Sequence, residues 1–570
     1  MKNWFSKNNA RVLVTVILLT AMQTAYSAVF TVNSESAFNT AQSSASTGDT
    51  IVWKNGTYSD INLGLSKSGL TVRAETSGGV IFTGGSLCGI TGDNIVFKGF
   101  QYKDGDIGSG YIVIVEGSHN ILTQLNFNGY LAKKYISIAA GSQFNEVSYC
   151  NFENKPVAAV IGCTIQINTS ATVPGYHKIR YCSFQNYPGA GGDNGNEPVR
   201  IGLGAESTNT ARNIVEYCYF NNTGLGDGEN ISLKCCENVV RYCTFDNNPL
   251  GMLVFRNGNR NVAYGNFFIN GSGGIRVKEA NDIYCYNNYF ETSGISGTGG
   301  TKEAINFTYV SPNLKNINFI HNTFIECGDI TLGGTGPTNV TFANNIFKKS
   351  SGDIFVSDNG QTAWAGNIYS GTLGITIASG MTKADPLLVK NSDNYFELSS
   401  LSPAIDKASA SYPAILDIAN VDDDPSILMD ISGQPRPADK LLKDIGCDES
   451  TTGSIINRPL KLANVGPSYL IATSISHEVS MPVSLHLNQN YPNPFNPSTK
   501  ITFAVQTSGK ALVKVVDVLG NEVATIFNAA AEAGREYSVS FNASSLSSGI
   551  YFYRLECAGQ SVSRKMLLLK

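Results

Sequence analysis

Charge is scarce in this 570-residue chain: only 15% of residues are Asp, Glu, Lys or Arg, and the formal net charge is −4. A protein that grips nucleic-acid phosphates carries a basic stripe, and none is present, so nucleic acid is not an expected partner. A polyanionic ligand must instead be met by charge gathered at one site. Beyond the N-terminus no apolar run is long enough to cross a bilayer, and no transmembrane segment is expected. Twelve cysteines are present, yet no two stand as Cys-x-x-Cys, which removes the usual zinc signature. The Leu-x-x-Leu-x-Leu phrase of leucine-rich repeats is also missing.

Glycine is abundant, at 57 residues, and Asn is frequent. That balance favours short strands joined by tight turns, hence an all-β protein, and the length calls for more than one domain. Lys2, Lys7 and Arg11 precede an apolar run from Val12 to Met22 and the small-residue site Ala25-Tyr26-Ser27. This order reads as a signal peptide over 1–27, with the mature chain starting near Ala28.

One phrase recurs through the middle of the chain. Its copies are Tyr149-Cys150-Asn151-Phe152, Tyr181-Cys182-Ser183-Phe184, Tyr217-Cys218-Tyr219-Phe220, Tyr242-Cys243-Thr244-Phe245 and Tyr264-Gly265-Asn266-Phe267. Later copies put Asn in the cysteine slot: Asn288-Tyr289-Phe290, Asn322-Thr323-Phe324, Asn345-Ile346-Phe347 and Asn367-Ile368-Tyr369. A base period of 22 to 25 residues, with longer insertions, means stacked coils. β-Branched and aromatic residues alternate with polar ones in each copy, as in a right-handed parallel β-helix. Phe then stacks on Phe inside, and Cys150, Cys182, Cys218 and Cys243 are expected as buried core residues and not as disulfides.

After Tyr369 the repeat fades into an irregular closing segment with Ser402-Pro403-Ala404-Ile405-Asp406, Gly433-Gln434-Pro435-Arg436-Pro437 and Asp444-Ile445-Gly446. The β-helix domain is taken as 28–450 and a linker as 451–484. The remainder, 485–570, opens on Tyr491-Pro492-Asn493-Pro494-Phe495-Asn496-Pro497 and alternates like a small β-sandwich. This segment resembles the type A C-terminal sorting domain of type IX secretion. The resemblance implies the type IX secretion machinery as a partner and a secreted or surface-attached product.

The densest polar phrase is Gly226-Asp227-Gly228-Glu229-Asn230-Ile231-Ser232-Leu233-Lys234. Asp227 and Glu229 are two apart, so on extended chain both carboxylates point one way and can share a hard cation. Lys234 and Arg256 each precede a repeat aromatic by 11 residues when Phe245 and Phe267 are taken as the markers, which places them side by side on adjacent coils. A lysine beside a fixed guanidinium has its pKa lowered, as a base working near neutral pH requires.

Together with Gly195-Asn196-Glu197-Pro198-Val199-Arg200, Gly251 to Asn259 and Gly273-Gly274-Ile275-Arg276-Val277, these motifs resemble polysaccharide lyase family 6, which holds alginate lyases and chondroitinase B. The resemblance implies a poly(β-D-mannuronate) lyase-like enzyme acting on an acidic polysaccharide, with alginate as the best match because few basic residues are available for sulfates. It implies Ca2+ held by Asn196, Asp227 and Glu229, Lys234 as base and Arg256 at the leaving oxygen. Arg276, Arg200 and Asn257 are the implied substrate contacts, and Asn257 departs from the histidine common in the family. Two other readings are a chondroitin or dermatan sulfate lyase, and a non-catalytic polysaccharide-binding β-helix.

Overall fold

The computed structural model describes residues 27–569 except 158–161, 188–194, 225–227, 295–302, 308–313, 333–337, 359, 378, 416–428, 452, 454, 472–485, 491–492, 494, 506–508 and 532–535. The expected signal peptide therefore lies outside the described residues, apart from Ser27. From Val29 to Lys383 the chain winds through three parallel sheets of 14, 14 and 12 strands, each strand pairing with its counterpart one coil away. This is the expected parallel β-helix, right-handed in type, of about 12 turns.

Stacking follows from the repeat. Phe127, Phe152, Phe184, Phe220, Phe245, Phe268, Phe290, Phe324 and Phe347 form one column, with neighbouring ring centroids 4.5–5.1 Å apart. One aromatic assignment needs correction: Phe268, not Phe267, occupies the column, because Phe245 pairs with Phe268. Phe267 faces outward against Tyr289 and Tyr395 of the closing segment. The cysteine slot behaves as expected. All twelve cysteines are buried and no disulfide joins any two of them, and beyond Cys243 the slot passes to an Asn ladder. Asn266 Nδ2 donates to Asn288 Oδ1 at 3.0 Å, Asn288 to Asn322, Asn322 to Asn345 and Asn345 to Asn367, while each Nδ2 also reaches a main-chain carbonyl. Buried turn amides are thereby satisfied coil after coil.

A solenoid must cover its open ends. The helix Glu35–Ser44, N-capped by Ser34, buries Phe38 and Ala41 and closes the first coil. Its Gln42 and Glu35 side chains bond the main chain at Gly64, Ser66 and Asn62, at the free edge of the third sheet. The closing segment is irregular apart from the antiparallel pair Leu388–Lys390 with Phe396–Leu398 and short 3-10 turns. Part of the expected linker is docked chain. The Asn457 side chain donates to Ile431, the Leu460 amide to Thr244 Oγ1, the Gly466 amide to Tyr181 and the Ser468 amide to Gln124, so 457–468 runs back along the stack as a strap.

The C-terminal unit consists of two antiparallel sheets of three and four strands around Phe503, Val513, Tyr553, Leu555 and Met566. Buried Tyr553 accepts from the Asn490 amide and donates to the Asn488 carbonyl, both at 2.7 Å, which fixes the segment entering the proline-rich opening.

Two outcomes are expected. Phe220→Ala removes a ring from the middle of the column and should lower unfolding free energy by about 3–5 kcal/mol in chemical denaturation. Thiol titration of the mature protein, unfolded without reductant, should give all twelve thiols; native protein should react slowly.

Candidate active site

The third sheet carries the expected residues. Gln166, Arg200, Ser232, Val254, Arg276 and Asn306 form one register column across six coils. Leu233 pairs with Phe255, so the next positions, Lys234 and Arg256, are neighbours on adjacent coils as expected. The count to the aromatic marker differs between the two coils because the turn after Arg256 has one more residue before Val262 than the turn after Lys234 has before its partner Val239. The conclusion survives since the strand register, not the turn length, sets the pairing.

At the centre lies Glu229, fully buried at the start of its strand. Its Oε1 accepts from Arg256 Nη1 at 3.0 Å and from Arg276 Nη2 at 2.7 Å. Its other oxygen, Oε2, is buried and takes no hydrogen bond among the described residues. Arg200 makes a two-point contact with buried Glu197, through Nε at 3.1 Å and Nη2 at 2.5 Å. Planar guanidinium against carboxylate is the strongest form of such a pair. Arg276 and Arg200, expected at the substrate, are thus each held by a protein carboxylate in this structure.

Lys234 differs from these arginines. It is partly buried, and its side chain makes no hydrogen bond or ion pair among the described residues. Burial, reinforced by the Arg200 and Arg256 guanidiniums, pulls its pKa below the ordinary lysine value despite Glu197 and Glu229 nearby. Both influences disfavour the charged form. Among the described residues it is a half-buried amine with no side-chain partner, beside a guanidinium anchored on a buried carboxylate.

Asn257, directly after Arg256, has φ +68° and donates through Nδ2 to Glu279 at 2.6 Å. The next residue must be glycine, because a Cβ at Gly258 would lie 2.0 Å from the Cys235 carbonyl oxygen. Cys235 points into the core with Sγ 3.6 Å from the Ile201 carbonyl, and Cys236 bonds the Ser207 carbonyl and the Asn259 amide across the turn.

Of the three residues implied for calcium, Asp227 lies outside the described residues. Asn196 has φ +68° and is nearly buried. Among the described residues no three His, Cys, Asp or Glu side chains converge on a metal position. The free Oε2 of Glu229 and the amide oxygen of Asn196, on neighbouring coils, are nonetheless hard oxygen donors suited to calcium. Two participants were missed in the sequence. Glu197 was read only as motif context, although its pairing fixes Arg200. Lys155, after the Asn151–Glu153 strand, gave no signal, being a single lysine in a turn; its Nζ donates to Asn196 Oδ1 at 2.7 Å.

Comparison with known proteins agrees with this fold. A family model described as Chondroitinase B matches residues 32–299, and one described as Secretion system C-terminal sorting domain matches residues 489–569. A search of curated proteins found no match. Among solved structures, the alginate lyase AlyGC of family PL6 superposes with a TM-score of 0.58 at 23% identity, covering 68% of this chain and 59% of that one. A mannuronic acid specific polysaccharide family 6 lyase from human gut microbiota gives 0.53 at 21%, covering 63% and 91%. The PL6 lyase Pedsa3628 from Pseudopedobacter saltans gives 0.51 at 20%, covering 77% and 99%. The chain spans under two thirds of AlyGC and nearly all of the other two, and at these identities the likeness is one of fold. Residues 32–299 thus match the Chondroitinase B model in a fold shared with solved polysaccharide lyase family 6 structures, and residues 489–569 match a secretion-system C-terminal sorting domain, which indicates secretion and attachment at the cell surface.

Proposed function

We propose that the protein is a polysaccharide lyase that cleaves alginate by β-elimination. The observation that carries this reading is Lys234, unpartnered among the described residues and with lowered pKa, beside an Arg256 fixed on buried Glu229. Lys234, as neutral amine, removes the C5 proton of a uronate. The C5–H electron pair forms the C4–C5 double bond, the C4–O4 bond breaks, and the leaving oxygen takes a proton. Arg256 stabilises negative charge developing beside it, a role that requires an anchored guanidinium. The product carries a 4,5-unsaturated sugar at its new non-reducing end. Calcium bound by Asn196, Asp227 and Glu229 would supply neutralisation of the substrate carboxylate.

Hydrolysis is less well served. A glycosidase needs a carboxylic acid and a second carboxylate free to act across the bond. Glu197 and Glu229 are each occupied by guanidinium groups. Alginate is preferred over sulfated polymers because Arg200 and Arg276 are already committed to protein carboxylates, leaving few cations for sulfate. The solved neighbours named for alginate or mannuronate support the same choice.

The test is absorbance at the unsaturated-uronate band with polymannuronate, polyguluronate and dermatan sulfate. Signal is expected on an alginate block and should fall by about 10²–10⁴-fold in Lys234→Ala, the usual worth of a general base. A flat trace on all three contradicts the alginate reading in favour of a polysaccharide-binding protein or a lyase for another uronate polymer, and signal on dermatan sulfate alone reassigns the substrate. Because the neutral amine is the active form, kcat/KM should rise with pH along a limb whose midpoint lies below 10.5, the ordinary lysine value. A profile falling over that range contradicts Lys234 as base.

A further inference from the structure

Lys155 is only 1% exposed, and its ammonium donates to the oxygen of Asn196 that the calcium reading requires. The contact is built, not incidental. Asn196 Nδ2 returns a hydrogen bond to the Lys155 carbonyl, the Asn196 amide is held by the Gly162 carbonyl at 2.7 Å, and Lys155 Nζ sits 5.5 Å from the Tyr135 ring centroid. We propose that Lys155 is a resident cation of the metal site, so that its ammonium and a bound divalent cation compete for Asn196 Oδ1. This rests on the calcium reading of the site.

An amide oxygen has lone pairs for both partners. Two positive centres on that one oxygen would nevertheless lie no more than about 5 Å apart, given ordinary ammonium and calcium contact distances. The surroundings sharpen the conflict. Lys155, Arg200, Lys234, Arg256 and Arg276 face Glu197 and Glu229, so cations already outnumber carboxylates among the described residues. With no metal bound, Lys155 satisfies Asn196 and lends charge to Glu197. For a metal to bind, the ammonium must withdraw or the metal must bind weakly. Lys155 thereby sets the calcium affinity without being a ligand.

Calorimetric titration of calcium alone into the mature full-length protein tests this directly, with Lys155→Met, Lys155→Gln and Lys155→Arg beside the natural chain. Circular dichroism in chelator confirms that each variant is folded, and Lys155→Gln carries the test should Lys155→Met not fold. The neutral variants should bind calcium about tenfold or more tighter, with a larger calcium-induced rise in Tm, whereas Lys155→Arg should stay within about threefold of the natural protein. Calcium binding by the neutral variants alone would also support the proposal. Unchanged or weaker binding in those variants overturns it. Absence of binding in every protein overturns both it and the calcium reading, while the product-absorbance assay judges the lyase reading separately.

Discussion

Everything in the β-helix depends on one constraint, the in-register stacking of coil on coil. Parallel strands lie about 4.8 Å apart, so a side chain in one coil has its counterpart from the next directly beside it. Inside, this makes columns of phenylalanine, cysteine and asparagine that stabilise one another. Outside, the same rule forces functional charges into columns, and like charges so placed repel unless counter-ions are built between them. Glu229 and Glu197 answer that need: one carboxylate oxygen holds Arg256 and Arg276, and the other carboxylate holds Arg200. Lys234 makes no ion pair among the described residues, and burial, with the Arg200 and Arg256 guanidiniums nearby, disfavours its charged form.

Much of this was legible in the sequence because a repeat exposes its own geometry. The period, the phenylalanine column and the exchange of Cys for Asn follow from spacing between like residues, whereas the pairing of Lys234 with Arg256 rests on strand register. The mistaken marker is instructive. Phe267 and Phe268 are adjacent and identical, so pattern alone cannot say which faces inward, and a turn one residue longer shifts the count. Strand hydrogen bonding, not turn length, decides the matter.

Other features left no periodic trace. Strap residues 460–468 are held by main-chain amides that donate to coils hundreds of positions earlier. No local pattern separates such a strap from a linker. Lys155 likewise reaches Asn196 across 41 residues from a turn. Charge partners are hard to read for the same reason: Glu197 lies in the quoted motif, but only the folded strand shows that it holds Arg200 and so leaves that arginine less free for substrate. Among the described residues, the arginines of this site are held by carboxylates while Lys234 is not.

Elimination is the reaction proposed for this charge arrangement. The most direct measurement is the mass of the oligosaccharides released from an alginate block by the purified mature protein. Elimination predicts fragments whose new non-reducing ends make them lighter by one water than the corresponding hydrolysis products, and these should be absent with Lys234→Ala. Fragments of full hydrolytic mass would contradict the account, since they would require a free acid and base where the structure shows carboxylates held by arginine.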